Sequence, residues 1–66
     1  MNRSEMAEIR KKLADYWGLS EKEVHVGTKG RVVVQRVTDK TPDVGSGIVL
    51  WDEDDLYEYL EDKGLA

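Results

Sequence analysis

The chain contains no cysteine, although its 66 residues leave little room for a hydrophobic core. A domain of this size buries only about 60% of the surface that its unfolded chain exposes. Disulfides and thiolate-bound metals, which often hold such small folds together, are excluded. Phenylalanine is also absent, so the core must come from Met, Ile, Leu, Val, Trp and Tyr. We expect one domain over residues 1–66.

Helical spacing of apolar residues predicts a first helix near the N-terminus. Ser4 is a suitable N-cap residue, and Gly18 is suited to end the helix in the left-handed conformation. The apolar residues between them recur at intervals that place them on one face: they are Met6, Ile9, Leu13, Tyr16 and Trp17.

The pattern then changes to one typical of β-strands. "VHV" at 24–26 alternates, "GTKG" at 27–30 is typical of a turn, and "RVVVQRV" at 31–37 is rich in β-branched residues. Together these segments predict a hairpin. A connection containing Pro42 and two glycines leads to "IVLW" at 48–51, which predicts a third strand.

A second helix is predicted after that strand. Asp52 is its N-cap residue, and Asp55 follows three positions later in a near variant of the capping box. Trp51, just before the cap, is expected to meet Leu56 as a hydrophobic staple. Gly64 is expected to end the helix in a Schellman motif.

The predicted fold is therefore α+β, in the order α-β-β-β-α, with both helices on one face of a three-stranded antiparallel sheet. This arrangement leaves the other sheet face open, and Val33, Val37 and Val49 would form an apolar surface there. The predicted core comprises Met6, Ile9, Leu13, Trp17, Val24, Val26, Val32, Val34, Ile48, Leu50, Leu56 and Leu60.

Charge is distributed unevenly along the chain. The formal net charge is −4, and the acidic excess lies in the last 26 residues, where only Lys63 is basic. On the second helix, the acids that lie opposite the apolar stripe form what we call the acidic face: Asp54, Asp55, Glu58, Glu61 and Asp62. Capping and solvation explain each position, but like charges three and four residues apart repel one another. The acidic face is therefore a candidate docking surface for a basic partner.

The sequence offers no set of residues for catalysis or cofactor binding. "DEDD" at 52–55 directs its carboxylates around the helix, whereas a hard cation needs six or more converging oxygens. His25 is the only histidine, without a second ligand or a neighbouring nucleophile. "GSG" at 45–47 lacks the Lys-Ser/Thr that follows a phosphate-binding loop. We expect no enzyme activity, no cofactor and no metal site.

Basic residues of the hairpin suggest an alternative function, nucleic-acid binding. They are Lys29, Arg31, Arg36 and Lys40, with Arg10, Lys11 and Lys12 on the first helix. Against this alternative, the sequence pI is about 4.8, whereas nucleic-acid-binding domains are usually basic. The order α-β-β-β-α resembles the double-stranded-RNA-binding domain. That resemblance implies a lysine-rich start to the second helix, where this chain has "DEDDLYEYL", so the function is not carried over.

The sequence thus favours a small protein-interaction module, such as a regulator or inhibitor from a microbe or phage. It would bind a basic protein partner through the acidic face, or form a homodimer through the open sheet face. No apolar run approaches the roughly 20 residues that span a bilayer, and "MNRSEMAEIRKKL" is unlike a signal peptide. We expect a cytoplasmic protein with no membrane partner.

Overall fold

The computed structural model describes residues 1–41 and 49–66, with side-chain burial for 1–41 and 51–66. It is an α+β fold with two helices and a small antiparallel sheet. The elements in chain order are α1 (Arg3–Trp17), a 3-10 turn (Glu21–Glu23), β1 (Val24–Val26), β2 (Val32–Val34), β3 (Val49–Leu50) and α2 (Glu53–Asp62). Predictions at Pro42, the 45–47 glycine segment and Ile48 lie outside the described residues.

The predicted hairpin of β1 and β2 is confirmed, but β2 covers only part of the predicted segment 31–37. Val24 lies opposite Val34, and Val26 lies opposite Val32. These four valines point to the helix side, while the intervening His25 is exposed on the other side. The two-residue β3 runs antiparallel along the second edge of β2, with Leu50 opposite Val32.

The predicted N-cap of α1 at Ser4 is wrong, because the helix begins two residues earlier. Asn2 Oδ1 accepts a hydrogen bond from the Glu5 backbone N–H at 2.8 Å. The Glu5 carboxylate accepts one from the Asn2 N–H at 3.2 Å, completing a capping box. Asn2 is therefore the N-cap residue and forms a reciprocal pair with Glu5. Ser4 lies inside the first turn. The predicted end at Gly18 is confirmed, with φ +72°.

The core lies between the helices and the helix-facing side of the sheet. Its buried apolar residues are Ile9, Leu13, Ala14, Trp17, Leu19, Val24, Val32, Val34, Leu56 and Leu60. Met6 was predicted in the core but is only half-buried, because it lines a pocket between α1 and β1. Val26 packs against the core while remaining half-buried. Ala14 and Leu19 were not predicted; the left-handed turn at Gly18 carries Leu19 back to the core.

The predicted ends of α2 are confirmed. Asp52 Oδ1 accepts a hydrogen bond from the Asp55 N–H at 2.8 Å. Gly64 has φ +72°, and the Leu65 N–H donates to the Leu60 carbonyl at 2.8 Å, as in a Schellman motif. Trp51 is 68% exposed, whereas an indole packed against Leu56 in the predicted hydrophobic staple would be more deeply buried.

The hairpin turn is in close contact with the start of α2. The Gly30 N–H donates to the Gly27 carbonyl at 3.1 Å, and Gly30 has φ +89°. A Cβ at Gly30 would lie 2.5–2.7 Å from backbone atoms of Asp52 and Glu53. Two features therefore require glycine at this position: the positive φ and the close approach of another backbone segment.

Trp17 joins the two helices at the centre of the core. It is 1% exposed, and its indole Nε1–H donates to the Tyr59 hydroxyl at 2.9 Å. The two ring centroids are 6.1 Å apart with an interplanar angle of 51°. The Thr38 hydroxyl donates to the Trp17 carbonyl at 2.9 Å, which ties the segment after β2 to the end of α1. A polar partner for a buried indole N–H is what such a site requires.

Candidate functional site

The five residues of the acidic face are all exposed on α2. Leu56 and Leu60, on the opposite side of the helix, are 0% and 2% exposed. Among the described residues, the acidic face has one ion pair, between Lys63 Nζ and Asp62 Oδ2 at 3.5 Å. Most of its negative charge is therefore not neutralised within the described part of the chain.

Two exposed aromatic residues lie close to the acidic face in sequence. Trp51 comes directly before the helix cap, and Tyr57 is 38% exposed on α2. Exposed tryptophan and tyrosine are enriched among the residues that contribute most to protein–protein binding. Sequence reasoning assigned Trp51 to a staple and gave Tyr57 no role. The position of Tyr57, about 100° around the helix from Leu56, would have indicated the edge of the buried stripe.

Tyr57 is fixed in place by a contact with α1. Its hydroxyl donates to Glu5 Oε2 at 3.1 Å. This hydrogen bond to a carboxylate is the main reason that the pKa of Tyr57 is raised above 10.0; desolvation and the nearby charges of Glu5 and Glu53 act in the same direction. Glu5 therefore caps α1 and holds α2 through the same carboxylate.

We expect the substitution Glu5→Gln to bring the Tyr57 pKa back towards 10.0, because it removes the negative charge beside the phenol. Glutamine also serves in capping boxes, so α1 should keep its N-terminus. A pKa that is raised in the folded state means that folding favours the neutral phenol. The stability that Tyr57 contributes is therefore fully present below the ordinary phenol pKa, and it is lost as pH rises through the raised folded-state pKa. Phenolate absorbance during alkaline titration measures the change, with Tyr57→Phe identifying the signal. An unchanged Tyr57 titration in Glu5→Gln would contradict the contact.

The structure does not bring the four basic hairpin residues together. Lys29 and Arg31 are exposed at the turn end of the hairpin. Arg36 Nε donates to Glu23 Oε2 at 3.2 Å beyond the other end of β2. Lys40 Nζ lies 5.6 Å from the centroid of the Tyr16 ring. Arg36 and Lys40 thus already have partners within the chain.

The outer face of the hairpin carries His25 and Val33, both exposed. The Gln35 amide nitrogen lies 3.0 Å from His25 Nε2. Val37 is half-buried, and the side chain of Val49 is outside the described set.

Neither metal-binding groups, membrane-spanning helices nor similar proteins indicate a further site in the described part of the chain. Among residues 1–41 and 49–66, no three His, Asp or Glu side chains are grouped so that they could hold a metal ion. None of the helices in the described chain has the length and apolar character needed to cross a bilayer. Comparison with protein-family models, curated proteins and solved structures gives no match.

Proposed function

We propose that this protein is a small, non-enzymatic interaction module whose acidic face binds a basic surface on a partner protein. The observation that supports this most is a row of five exposed carboxylates with a single ion pair among the described residues. The 68% exposed indole of Trp51, next to the helix cap, supplies an apolar anchor beside them.

The energetics of α2 favour a binding role for the acidic face. Glu58 has Asp54 and Asp62 as neighbours four residues away on either side. Each such like-charge pair destabilises a helix by a few tenths of a kcal/mol, which a lysine at one position would relieve. A surface whose charges all have the same sign increases the association rate with an oppositely charged partner and disfavours partners of like charge. Partner binding would account for charges that the fold does not need.

The finer architecture forms part of this proposal. We infer the three-stranded α-β-β-β-α arrangement, supported by the pairing of β3 with β2. Val33, 37% exposed on the outer sheet face, would then belong to an open apolar surface available for a homodimer. A module of this kind would act as a regulator or inhibitor by occupying the basic surface of its partner.

Reversing two charges on the acidic face tests the proposal. We expect the double substitution Glu58→Lys and Asp62→Lys to reduce partner capture at least roughly tenfold, while stability changes by less than about 0.5 kcal/mol because both side chains are exposed. Capture from an extract of the source cells, followed by identification of the retained proteins, measures the effect at about 0.15 M salt.

A matched control carries the same charge change elsewhere. Asp15→Lys with Glu21→Lys alters two exposed acids outside the acidic face. The proposal expects this control and the unaltered protein to retain the same partner. Equal capture by all three proteins would contradict a role for the acidic face.

Nucleic-acid binding through the hairpin is a second candidate. Lys29 and Arg31 favour it, because both are exposed and neither forms an ion pair within the described residues. The substitutions Lys29→Gln and Arg31→Gln should then weaken oligonucleotide binding and leave partner capture unchanged. Charge reversal on the acidic face should instead reduce partner capture and leave oligonucleotide binding unchanged.

A further inference from the structure

A pocket of about 260 Å³ lies between α1 and β1, away from the acidic face. Its lining residues are Arg3, Met6, Ala7, Arg10, His25 and Val26. None of these is acidic, although the protein as a whole has a net charge of −4. A separate groove between α1 and α2 uses other α1 residues, among them Glu5 and Lys12. The pocket therefore occupies the side of α1 that faces away from α2.

Two arginines approach the pocket from one side of α1. Arg3 and Arg10 are seven residues apart, which is close to two helical turns and about 10 Å along the axis. Neither forms an ion pair within the described residues. Arg3 is the first residue of α1, where a positive charge opposes the helix dipole. Helix stability therefore does not explain this arginine.

Arg10 also has an unsatisfied donor. Its Nε is shut off from solvent and has no hydrogen-bond partner among the described residues. A buried donor without an acceptor is unfavourable, and an arginine donor is most strongly satisfied by an anionic oxygen. The Nε–H of an arginine and a neighbouring N–H can together bind two oxygens of one anionic ligand.

The edge of β1 provides a backbone donor at the same place. The Gln35 N–H donates to the Glu23 carbonyl, and the Gly27 N–H donates to the Arg31 carbonyl. In this register the odd-numbered residues of β1 bond to β2, so the N–H of Val26 points away from β2. β1 is the first strand in the sheet order, so this N–H lies on the edge beside the pocket.

We propose that this pocket binds a phosphate-type oxyanion through Arg3, Arg10 and the Val26 N–H. The volume is below the usual range for drug-sized ligands, which fits a single phosphate group. Free phosphate and a phosphate of a nucleic-acid backbone share this chemistry. The proposal is independent of partner binding by the acidic face, since it uses other residues on the other side of α1.

Titration of the ¹⁵N-labelled protein with inorganic phosphate at constant ionic strength tests this proposal. We expect saturable NMR shifts at the Arg10 Nε–H and the Val26 amide, with little change on α2. Arg10→Gln should weaken binding about tenfold or more, because it removes a charge-assisted donor pair. Lys11→Gln is the matched control, since it removes one positive charge at an exposed position of α1 and should leave affinity within about twofold.

Arg3→Gln is a second variant, because Arg3 is exposed and its replacement should not disturb folding even if Arg10→Gln does. It should weaken phosphate binding about fivefold. Absence of saturable shifts at the pocket, or equal affinity in Arg3→Gln and in the unaltered protein, would overturn the proposal. A parallel titration with a short single-stranded oligonucleotide distinguishes the source: tighter binding than phosphate at the same residues identifies a nucleic-acid backbone, and weaker binding identifies a free phosphate ligand.

Discussion

Replacing Gly30 by alanine is expected to remove most of the protein's folding stability. The positive φ of +89° costs an L-residue about 1–2 kcal/mol. The added Cβ would also lie 2.5–2.7 Å from backbone atoms of Asp52 and Glu53, and relieving such overpacking costs about 1–3 kcal/mol more. A domain of this size rarely has more than about 3–5 kcal/mol of stability. Urea denaturation followed by circular dichroism measures the loss.

The chain provides a matched control for this substitution at Gly64. That residue has φ +72°, but a Cβ there would meet no atom within 4 Å. Gly64→Ala should therefore cost only the conformational part, about 1–2 kcal/mol. If Gly30→Ala destabilises the protein no more than Gly64→Ala, the close contact between the hairpin turn and α2 is wrong.

The substitution Trp17→Ala is expected to destabilise the protein by about 3–5 kcal/mol. Trp17 is the largest fully buried side chain, and its removal leaves a cavity between α1, α2 and the sheet. The Tyr59 hydroxyl would lose its hydrogen-bond donor at the same time. Denaturant midpoints, or failure of the variant to fold, report the effect.

The second tryptophan is the control. Trp51 is 68% exposed, so Trp51→Ala should change stability by less than about 0.5 kcal/mol. The same substitution should weaken partner binding if Trp51 anchors the interface beside the acidic face. A large stability loss in Trp51→Ala, or a negligible loss in Trp17→Ala, would contradict the burial of the two indoles.

Local signals predicted the helices well. Gly18, Asp52 and Gly64 act through the backbone conformation or hydrogen bonding of their own neighbourhood, so their roles could be inferred from sequence. The start of α1 was placed at Ser4 because serine is a good cap, but Asn2 forms a reciprocal pair with Glu5. Two adequate caps two residues apart compete, and the better-paired one is used.

Features that depend on contacts between elements were harder to predict. Met6 has the spacing of a core residue, yet α1 and β1 diverge enough there to leave a pocket beside it. The lining of this pocket combines Arg3 and Arg10 of α1 with His25 and Val26 of β1, which are distant from them in sequence. Gly30 was predicted only as a turn residue, because nothing local indicates that α2 begins against it.

The acidic face could be predicted from the sequence only in part. Its exposure follows from helical periodicity alone, since the buried positions of Leu56 and Leu60 fix the opposite side. That it forms a single ion pair among the described residues depends on where the basic residues lie in the fold. The structure places Arg36 beside Glu23 and Lys40 near Tyr16, which could not be inferred from their spacing.

Partner recognition by the acidic face is tested most directly by NMR titration of the ¹⁵N-labelled protein with a lysine-rich amphipathic helical peptide. A peptide of the same composition in scrambled order is the control. At about 0.15 M salt, we predict saturable shifts along α2 and at the Trp51 indole N–H with the amphipathic peptide. These shifts should be lost in the Glu58→Lys, Asp62→Lys variant. Equal responses to both peptides, or no response at α2 and Trp51, would contradict the proposed function.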